Sequence, residues 1–190
     1  MSSENIEVLL SSARRTFMFH GYHGSSIRIL LSELQISAKQ FYDVLGGKKS
    51  LAKRLIVLEQ SGWENVFKKA HKEAHSSGKE TLKAVVDIVL ENHLEECSPK
   101  GSFLANLSCE LSESDKDVQA LIAQAYNSVV CSIAGLLQTI DKKDRSCNDR
   151  EIALFILSAL EGSCILAKSD NDFWEMKKGF ELIKQFIENL

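Results

Sequence analysis

The chain has 190 residues, of which 44% are hydrophobic and 26% charged, and its formal net charge at pH 7 is −3. This length can bury one full core or two small ones, and the charge balance excludes both a disordered chain and a uniformly basic nucleic-acid binder. A sandwich or barrel needs many turns, yet the sequence has 1 proline and 10 glycines. We therefore predict an all-α protein.

The N-terminal residues and the cysteines indicate the cellular compartment of the protein. Residues 1–7 lack the basic start and apolar stretch of a signal peptide. The 5 cysteines are scattered without a CxxC pair, which predicts reduced thiols and a cytoplasmic location. The stretch 118–140 carries no charge, but its polar side chains argue against a membrane span. We predict a buried central helix there and no membrane partner.

Charge is divided unevenly along the chain. Residues 1–54 hold eight Lys or Arg and four acids, whereas residues 55–190 hold 15 bases and 22 acids. A small basic head on an acidic body is the asymmetry expected when one module meets phosphates and the other does not. Chance clustering of charges would produce the same asymmetry, so charge alone does not show that the head binds phosphates.

The first 50 residues predict three helices and the start of a fourth. An apolar stripe marks the first helix, which ends at Gly21; its members are Val8, Leu9, Ala13, Phe17 and Phe19. A short second helix begins after Ser25 or Ser26, either of which is a good N-cap. A third helix spans residues 38–45, and a longer helix begins near Lys48.

Two short helices joined by a three-residue turn, after a longer supporting helix, describe a helix-turn-helix. Its second short helix would enter the major groove, with Ala38, Lys39 and Gln40 nearest the bases. Lys39 can donate to guanine, and Gln40 could pair with adenine. Ser37 and Gln40 also have capping-box spacing, so Gln40 serves equally well to cap its own helix. The predicted phosphate contacts are Ser25, Ser26, Tyr42 and Lys48.

This head resembles the tetracycline-repressor (TetR) family of transcriptional regulators. The matched positions run without gaps from Val8 to Leu51 and include Leu10, Ala13, Phe17, Gly21-Tyr22, Ser26-Ile27-Arg28, Ile36-Ser37, Phe41-Tyr42, Gly46 and Lys48 to Leu51. The resemblance implies that the DNA-contacting positions are Ser26, Arg28, Lys39, Gln40, Tyr42 and Lys48. It also implies an all-helical C-terminal domain that dimerises and encloses a ligand pocket. We divide the chain into a helix-turn-helix DNA-binding domain, residues 1–54, and a ligand-binding and dimerisation domain, residues 55–190.

One departure from the family pattern has a physical consequence. The family usually has glycine in the turn where this chain has Gln35. A left-handed backbone at Gln35 would cost about 1 kcal/mol relative to glycine.

Two apolar stripes near the C-terminus suit a dimer interface. The last helix repeats apolar residues with heptad spacing, and the helix before it carries a second stripe with small residues that allow close approach. Either stripe could instead face the core of its own domain. The predicted interface residues are Ile152, Phe155, Ile156, Phe173, Met176, Phe180, Ile183 and Ile187.

A buried, uncharged central helix would place polar groups in the interior, where they need partners. We therefore predict a pocket for a small, mostly apolar effector, although each lining residue could equally be a core residue. The candidates are Trp63, Phe67, Phe103, Asn106, Gln124, Tyr126, Asn127 and Phe155. A ligand between Trp63, Phe103 and Tyr126 could tilt the long helix that begins near Lys48.

The sequence gives little support to the hypothesis that the protein is an enzyme. The GxSxG, P-loop and GxGxxG motifs are absent from the sequence, and we predict no cofactor. His71 and His75 flank Glu73 as His-Lys-Glu-Ala-His, which is not the HExxH of zinc hydrolases, so no metal site is predicted. The sequence favours a homodimeric, ligand-responsive repressor of a palindromic operator. The alternative is a helical ligand-binding or adaptor protein whose helix-turn-helix no longer binds specific DNA.

Overall fold

The fold is all-α, as predicted. The computed structural model describes residues 3–74, 77–95, 99–111, 115–140 and 147–190, and these form nine α-helices. In chain order they are α1 (Ser3–Gly24), α2 (Ile27–Leu34), α3 (Ala38–Leu45), α4 (Lys48–Glu73), α5 (Gly78–Leu94), α6 (Phe103–Leu111), α7 (Lys116–Leu137), α8 (Asp149–Asp170) and α9 (Trp174–Glu188).

The chain folds as two compact units. Unit 1 comprises Met1–Glu59 and Phe103–Ala125, and unit 2 comprises Gln60–Ser102 and Tyr126–Leu190. Unit 1 therefore holds α1, α2, α3 and α6, whereas unit 2 holds α5, α8 and α9. Helices α4 and α7 contribute residues to both units. The boundary that the sequence predicts, between residues 54 and 55, lies inside α4.

Helix α1 buries three of the five residues of its predicted apolar stripe, Leu9, Ala13 and Phe17. Val8 and Phe19 are 63% and 72% exposed, so their assignment to the buried stripe was wrong. The buried apolar residues of α1 are Leu9, Leu10, Ala13, Phe17 and Met18. These positions recur at three- and four-residue spacing and share one side of the helix, whereas Val8 and Phe19 fall outside that side.

The α2–α3 turn contains the left-handed residue that the sequence suggested. Gln35 has φ 53° and ψ 42°, and its backbone N–H donates to the carbonyls of Leu31 and Ser32 at the end of α2. Together with the Ile36 N–H, which also donates to the Leu31 carbonyl at 3.3 Å, these bonds satisfy carbonyls at the C-terminal end of α2. The turn therefore closes with a non-glycine residue held in the left-handed region.

Replacing Gln35 by glycine is expected to raise the free energy of unfolding by about 1 kcal/mol, because glycine adopts the left-handed conformation without a steric penalty. Thermal denaturation followed by circular dichroism measures the change. Gln124→Gly is the matched control: this exposed glutamine lies within α7, where glycine should destabilise by about 1 kcal/mol. Equal shifts of the same sign in both variants would contradict the assignment.

Helix α7 is amphipathic rather than fully buried, which corrects the prediction of a buried central helix. Its polar residues Gln119, Gln124 and Asn127 are exposed. Its apolar residues, including Val129 and Ile133, pack in the core of unit 2. Helices α7 and α8 are long and apolar enough to cross a membrane by length and composition, but the core of unit 2 takes residues from both.

Candidate functional site

Helix α3, the predicted recognition helix, has one buried face and one exposed face. Phe41 and Leu45 are fully buried and anchor the helix in unit 1. Lys39 and Gln40 are exposed, as is Ala38 at the first helical position, and Tyr42 is 55% exposed. The residues predicted to meet DNA on α3 therefore lie together on its solvent side.

Gln40 acts as a cap in this structure. Its Oε1 accepts hydrogen bonds from the Ser37 backbone N–H and the Ser37 hydroxyl, both at 3.0 Å. The Ser37 hydroxyl in turn accepts from the Gln40 N–H at 3.2 Å, which completes the capping box. A bidentate pair with adenine needs that carboxamide oxygen as the acceptor. Of the two predicted base readers, Lys39 is the one whose polar group is not used in this cap.

On the second helix, Arg28 faces solvent, whereas the Ser26 hydroxyl is engaged as the N-cap. The Ser26 hydroxyl accepts from the Ile29 N–H at 3.3 Å, and Arg28 is exposed. Ser25, by contrast, is fully buried, and its hydroxyl donates to the Gly21 carbonyl at 2.6 Å. The phosphate contact predicted for Ser25 is therefore wrong, because its hydroxyl is committed inside unit 1.

Lys48, at the start of α4, packs on an aromatic ring. Its Nζ lies 4.3 Å from the ring centroid of Tyr22, a cation–π geometry. Burial lowers the pKa of Lys48, and the nearby Glu110 carboxylate partly offsets that effect. Lys48 therefore fixes the start of α4 against the end of α1 as well as supplying a positive charge there.

Several basic residues of the head are paired with acids from later in the sequence. Arg14 pairs with Glu59, Lys49 lies 2.7 Å from Asp115, and Lys53 lies 3.1 Å from Asp117. The hydrogen bond from Lys49 lowers the pKa of Asp115. The positive charge counted over residues 1–54 is thus partly neutralised within unit 1, which the segment count could not show.

Glu110, at the end of α6, holds the corner between α1 and α2. Its carboxylate oxygens accept from the backbone N–H groups of Tyr22 at 2.9 Å and His23 at 2.7 Å. His23 Nε2 also lies 3.0 Å from the Glu110 carbonyl oxygen. Gly21 has φ 74° and breaks the helical path there. Sequence reasoning missed this contact, since no local pattern links residues 88 positions apart.

Five of the eight predicted pocket residues lie in unit 2. Trp63 and Phe67 have ring centroids 6.2 Å apart, and both pack with Tyr126 against the core. Asn127 is exposed and accepts from Arg150 Nη2 at 2.7 Å. Phe155 is also exposed, on α8. Trp63, Phe67 and Tyr126 are thus associated with one core, whereas Asn127 and Phe155 are at the surface of that unit.

The other three predicted pocket residues lie in unit 1. Phe103 is buried, with the Arg14 guanidinium 5.7 Å from its ring centroid. The Asn106 amide donates to Met18 Sδ at 3.6 Å, and Gln124 is exposed. Within this unit, Phe103 and Asn106 belong to the packing of α6 on α1.

The heptad seam of α9 faces the core of unit 2 within the same chain. Helix α9 packs against α8 and α5, and six of the predicted interface residues are buried in that core: Ile152, Ile156, Met176, Phe180, Ile183 and Ile187. Phe173 is half-buried, and Phe155 stays exposed, with its ring centroid 5.0 Å from that of Phe186. This corrects the prediction for the six buried residues, because they leave no surface for a partner chain.

The described cysteines are free thiols. Cys164 is buried, which raises its pKa to about 12, and its Sγ lies 3.5 Å from His93 Nε2. Its thiolate is therefore scarce at neutral pH. In the part of the chain that the structure describes, no three His, Cys, Asp or Glu side chains form a metal-sized cluster. His75 lies outside the described residues.

Comparisons with known proteins identify the family. Residues 78–178 match the family model described as "Transcriptional regulator LmrA/YxaF-like, C-terminal domain", a TetR-type C-terminal domain. A Lactococcus lactis protein named an HTH-type transcriptional regulator in the lacX 3' region is 24% identical over 97% of this chain and 93% of its own length.

Solved structures of TetR regulators share the fold across the whole chain. A TetR transcriptional regulator from Legionella pneumophila is 17% identical, with TM-score 0.83 and 100% and 97% of the two chains covered. The regulatory protein TetR from Rhodobacter sphaeroides is 14% identical, with TM-score 0.84 and coverage of 94% and 96%. The chain therefore belongs to the TetR family of transcriptional regulators, which are DNA-binding transcription factors and not enzymes.

Proposed function

We propose that this protein is a homodimeric repressor that binds a palindromic operator through α3 and leaves it when a small, mostly apolar effector binds. The observation that carries the proposal is the exposed face of α3, with Lys39 and Tyr42 on the solvent side of a helix whose other face is anchored by Phe41 and Leu45. A rigidly held recognition helix with exposed polar side chains suits insertion into the major groove.

Lys39 is the proposed base reader and Tyr42 the proposed phosphate contact. Lys39→Ala is expected to cost about 1–3 kcal/mol of operator binding and to relax specificity at one base pair. Tyr42→Phe should weaken all DNA sequences about equally, since phosphates carry no sequence information. Fluorescence anisotropy on the protein's own promoter fragment, and on fragments with single substitutions, measures both effects.

The matched control is Lys177→Ala, which removes an exposed lysine of α9 and should leave DNA binding unchanged. Unaltered base preference in Lys39→Ala would contradict its role as a reader. A wild-type protein that binds promoter and scrambled fragments equally would contradict the proposed repressor function itself.

The outward face of α8 and α9 supports dimerisation. Several large apolar side chains on it are exposed in the single chain: Phe155, Ile165, Leu166 and Leu182. Large apolar side chains left exposed in a single chain are candidates for a protein interface. Two-fold pairing of the same surface would present two recognition helices to the two halves of a palindrome. We therefore place the dimer interface on this outward face rather than on the buried seam.

The ligand response would be transmitted by α4. This single helix runs from Lys48, directly after α3, to Glu73, and carries Trp63 and Phe67. An effector that contacts α4 and prefers one of its positions shifts the population of DNA-competent protein. Such coupling typically amounts to about 1–3 kcal/mol, so effector binding should lower operator affinity rather than abolish it.

The alternative, an adaptor or ligand carrier with a non-binding head, draws on the ion pairs of Arg14, Lys49 and Lys53, which neutralise part of the basic charge. Salt dependence separates the two functions. Specific operator binding should fall steeply with salt, because phosphate contacts release counterions, and should exceed binding to scrambled DNA at each salt concentration. Weak binding without sequence preference would favour the alternative.

A further inference from the structure

A groove in unit 2 differs from the predicted pocket and shares only Phe67 with it. The groove has a volume of about 530 Å³ and is lined by residues of α4, α5 and α7. Small-molecule sites typically have volumes of about 300–1,000 Å³. Phe67 of α4 and Leu136 of α7 contribute apolar surface, and most of the lining is apolar. The size and lining therefore suit a small molecule with an apolar body.

Gly135 leaves room on the α7 side of this groove. A Cβ added there would have no heavy atom of the described structure within 4 Å, apart from its chain neighbours and the nearby backbone of its own helix. An apolar ligand can thus approach the α7 backbone closely at this point. We expect a bulky residue at this position to occupy the groove, because Gly135 is exposed and an added Cβ would meet open space.

The polar character of the groove comes from one edge. Lys68, His71 and Lys72 of α4 all line it, because positions three and four apart share a helix face. The hydroxyls of the α5 and α7 residues in the lining, Thr81 and Ser132, donate to carbonyls of their own segments at 2.9 and 3.1 Å. Among the described lining residues none is acidic. The groove thus combines an apolar interior with a positively charged rim.

The two rim lysines differ from their neighbour Lys69. Lys69 Nζ lies 3.9 Å from Glu73 and 3.6 Å from Glu91, whereas Lys68 and Lys72 form no ion pair with any described residue. Two lysines on one edge of an apolar groove, both without an acidic partner among the described residues, are complementary to a single anionic group on a ligand.

A second groove of unit 2 shows the contrast. It has a volume of about 500 Å³, but its lysines are already paired: Lys83 lies 2.6 Å from Glu80 and 2.7 Å from Glu188, and Lys184 lies 2.9 Å from Asp87. Those cations are neutralised within the chain, so that groove has no charge left for an anion.

We propose that the groove lined by α4, α5 and α7 binds a small apolar molecule carrying one anionic group, of the monocarboxylate class. The apolar body would lie along Phe67, Gly135 and Leu136, and the carboxylate would meet Lys68 and Lys72. The role of this ligand as the effector rests on the proposed function. Binding of the ligand to the groove can be measured without DNA and does not depend on that function.

The test uses three probes with the same ten-carbon chain and different charge: decanoate, 1-decanol and decylammonium, each below its aggregation concentration. Isothermal titration calorimetry on the full chain should show one decanoate bound per chain. The affinity for decanoate should be about tenfold above that for decanol, and the affinity for decylammonium should be the lowest of the three. The Lys68→Gln, Lys72→Gln double variant should reduce decanoate affinity about tenfold, to the level of decanol, and leave decanol binding unchanged. Lys69→Gln is its control and should change neither.

Gly135→Phe should abolish binding of all three probes, whereas Gly62→Phe, at another helical glycine with open space around its Cβ, should not. Equal affinities for the three probes, or undiminished decanoate binding by Gly135→Phe, would overturn the proposal.

Decanoate should also release the wild-type protein, but not the Gly135→Phe variant, from the promoter fragment. Binding without release would refute the effector role, whereas a failure of ligand-free protein to bind DNA would refute the proposed function and leave the ligand-binding result intact.

Discussion

The Phe180→Asp variant is expected to lose the fold of unit 2, not only its self-association. Phe180 has no exposed surface and packs in the core with α8. Truncating a buried phenylalanine costs about 3–5 kcal/mol, and an unpaired buried carboxylate adds further cost. Because a domain is stable by only about 5–15 kcal/mol, most of the chain should be unfolded. Circular dichroism should show a large loss of helix at 25 °C.

Leu182→Asp is the matched control on the same helix. Leu182 is 64% exposed and lies two residues after Phe180, so aspartate there should leave helix content and melting temperature nearly unchanged. If the outward face is the dimer interface, analytical ultracentrifugation should show folded monomers. Gly162→Trp offers a second variant on α8, since its Cβ would have open space around it within the single chain. If both the Leu182→Asp and the Gly162→Trp variants remained fully dimeric, the dimer interface would have to lie elsewhere on the protein.

The second large effect is expected from Gly21→Ala. Gly21 has φ 74° and ψ 168°, a region that is essentially restricted to glycine and costs other residues about 1–3 kcal/mol. An added Cβ would also lie 2.7 Å from Glu110 Oε1. The carboxylate would have to move and weaken its bonds to the Tyr22 and His23 N–H groups, each worth about 1.5 kcal/mol or more with a charged acceptor. Denaturant unfolding should show the combined loss.

Gly24→Ala is the control, because its Cβ would meet only ordinary contact with His20 at 3.7 Å. It should change stability little. The Gly21→Ala, Glu110→Ala double variant provides a further check. Removing the Glu110 carboxylate abolishes the close contact, so the two changes should be less than additive in a double-mutant cycle. Strict additivity would show that Gly21 and Glu110 are not coupled.

Local sequence signals predicted the helix-turn-helix well. Ser26 and Ser37 are N-caps, and glycine ends α3, because side chains and backbone groups a few residues apart determine these features. The predicted span of α3, residues 38–45, agrees with the structure. The capping alternative for Gln40 was also visible, since both partners lie within one helical turn.

Contacts between distant parts of the chain could not be predicted in the same way. The heptad spacing of α9 identified an apolar stripe correctly but could not say whether α5 and α8 or a second chain would cover it. The pairing of Lys49 with Asp115 and of Glu110 with the end of α1 depends on how α6 and α7 pack, which no local period encodes. The sequence also could not predict the role of Lys68 and Lys72 in the groove, because only the fold shows which lysines have no acidic partner among the described residues.

Under the proposed function, the separation of buried and exposed residues in α3 bears on how operator preference can change during evolution. Phe41 and Leu45 hold the helix in place, whereas Ala38, Lys39 and Tyr42 are exposed and contribute little to the core. Exposed substitutions usually alter stability by no more than about 0.5 kcal/mol. A duplicated gene could therefore acquire a new target site through these three positions without compensating mutations in the core. Gln40 is the exception: a change there alters the helix cap together with the surface that DNA would meet, so we expect this position to tolerate fewer residues than its neighbours as regulators diverge.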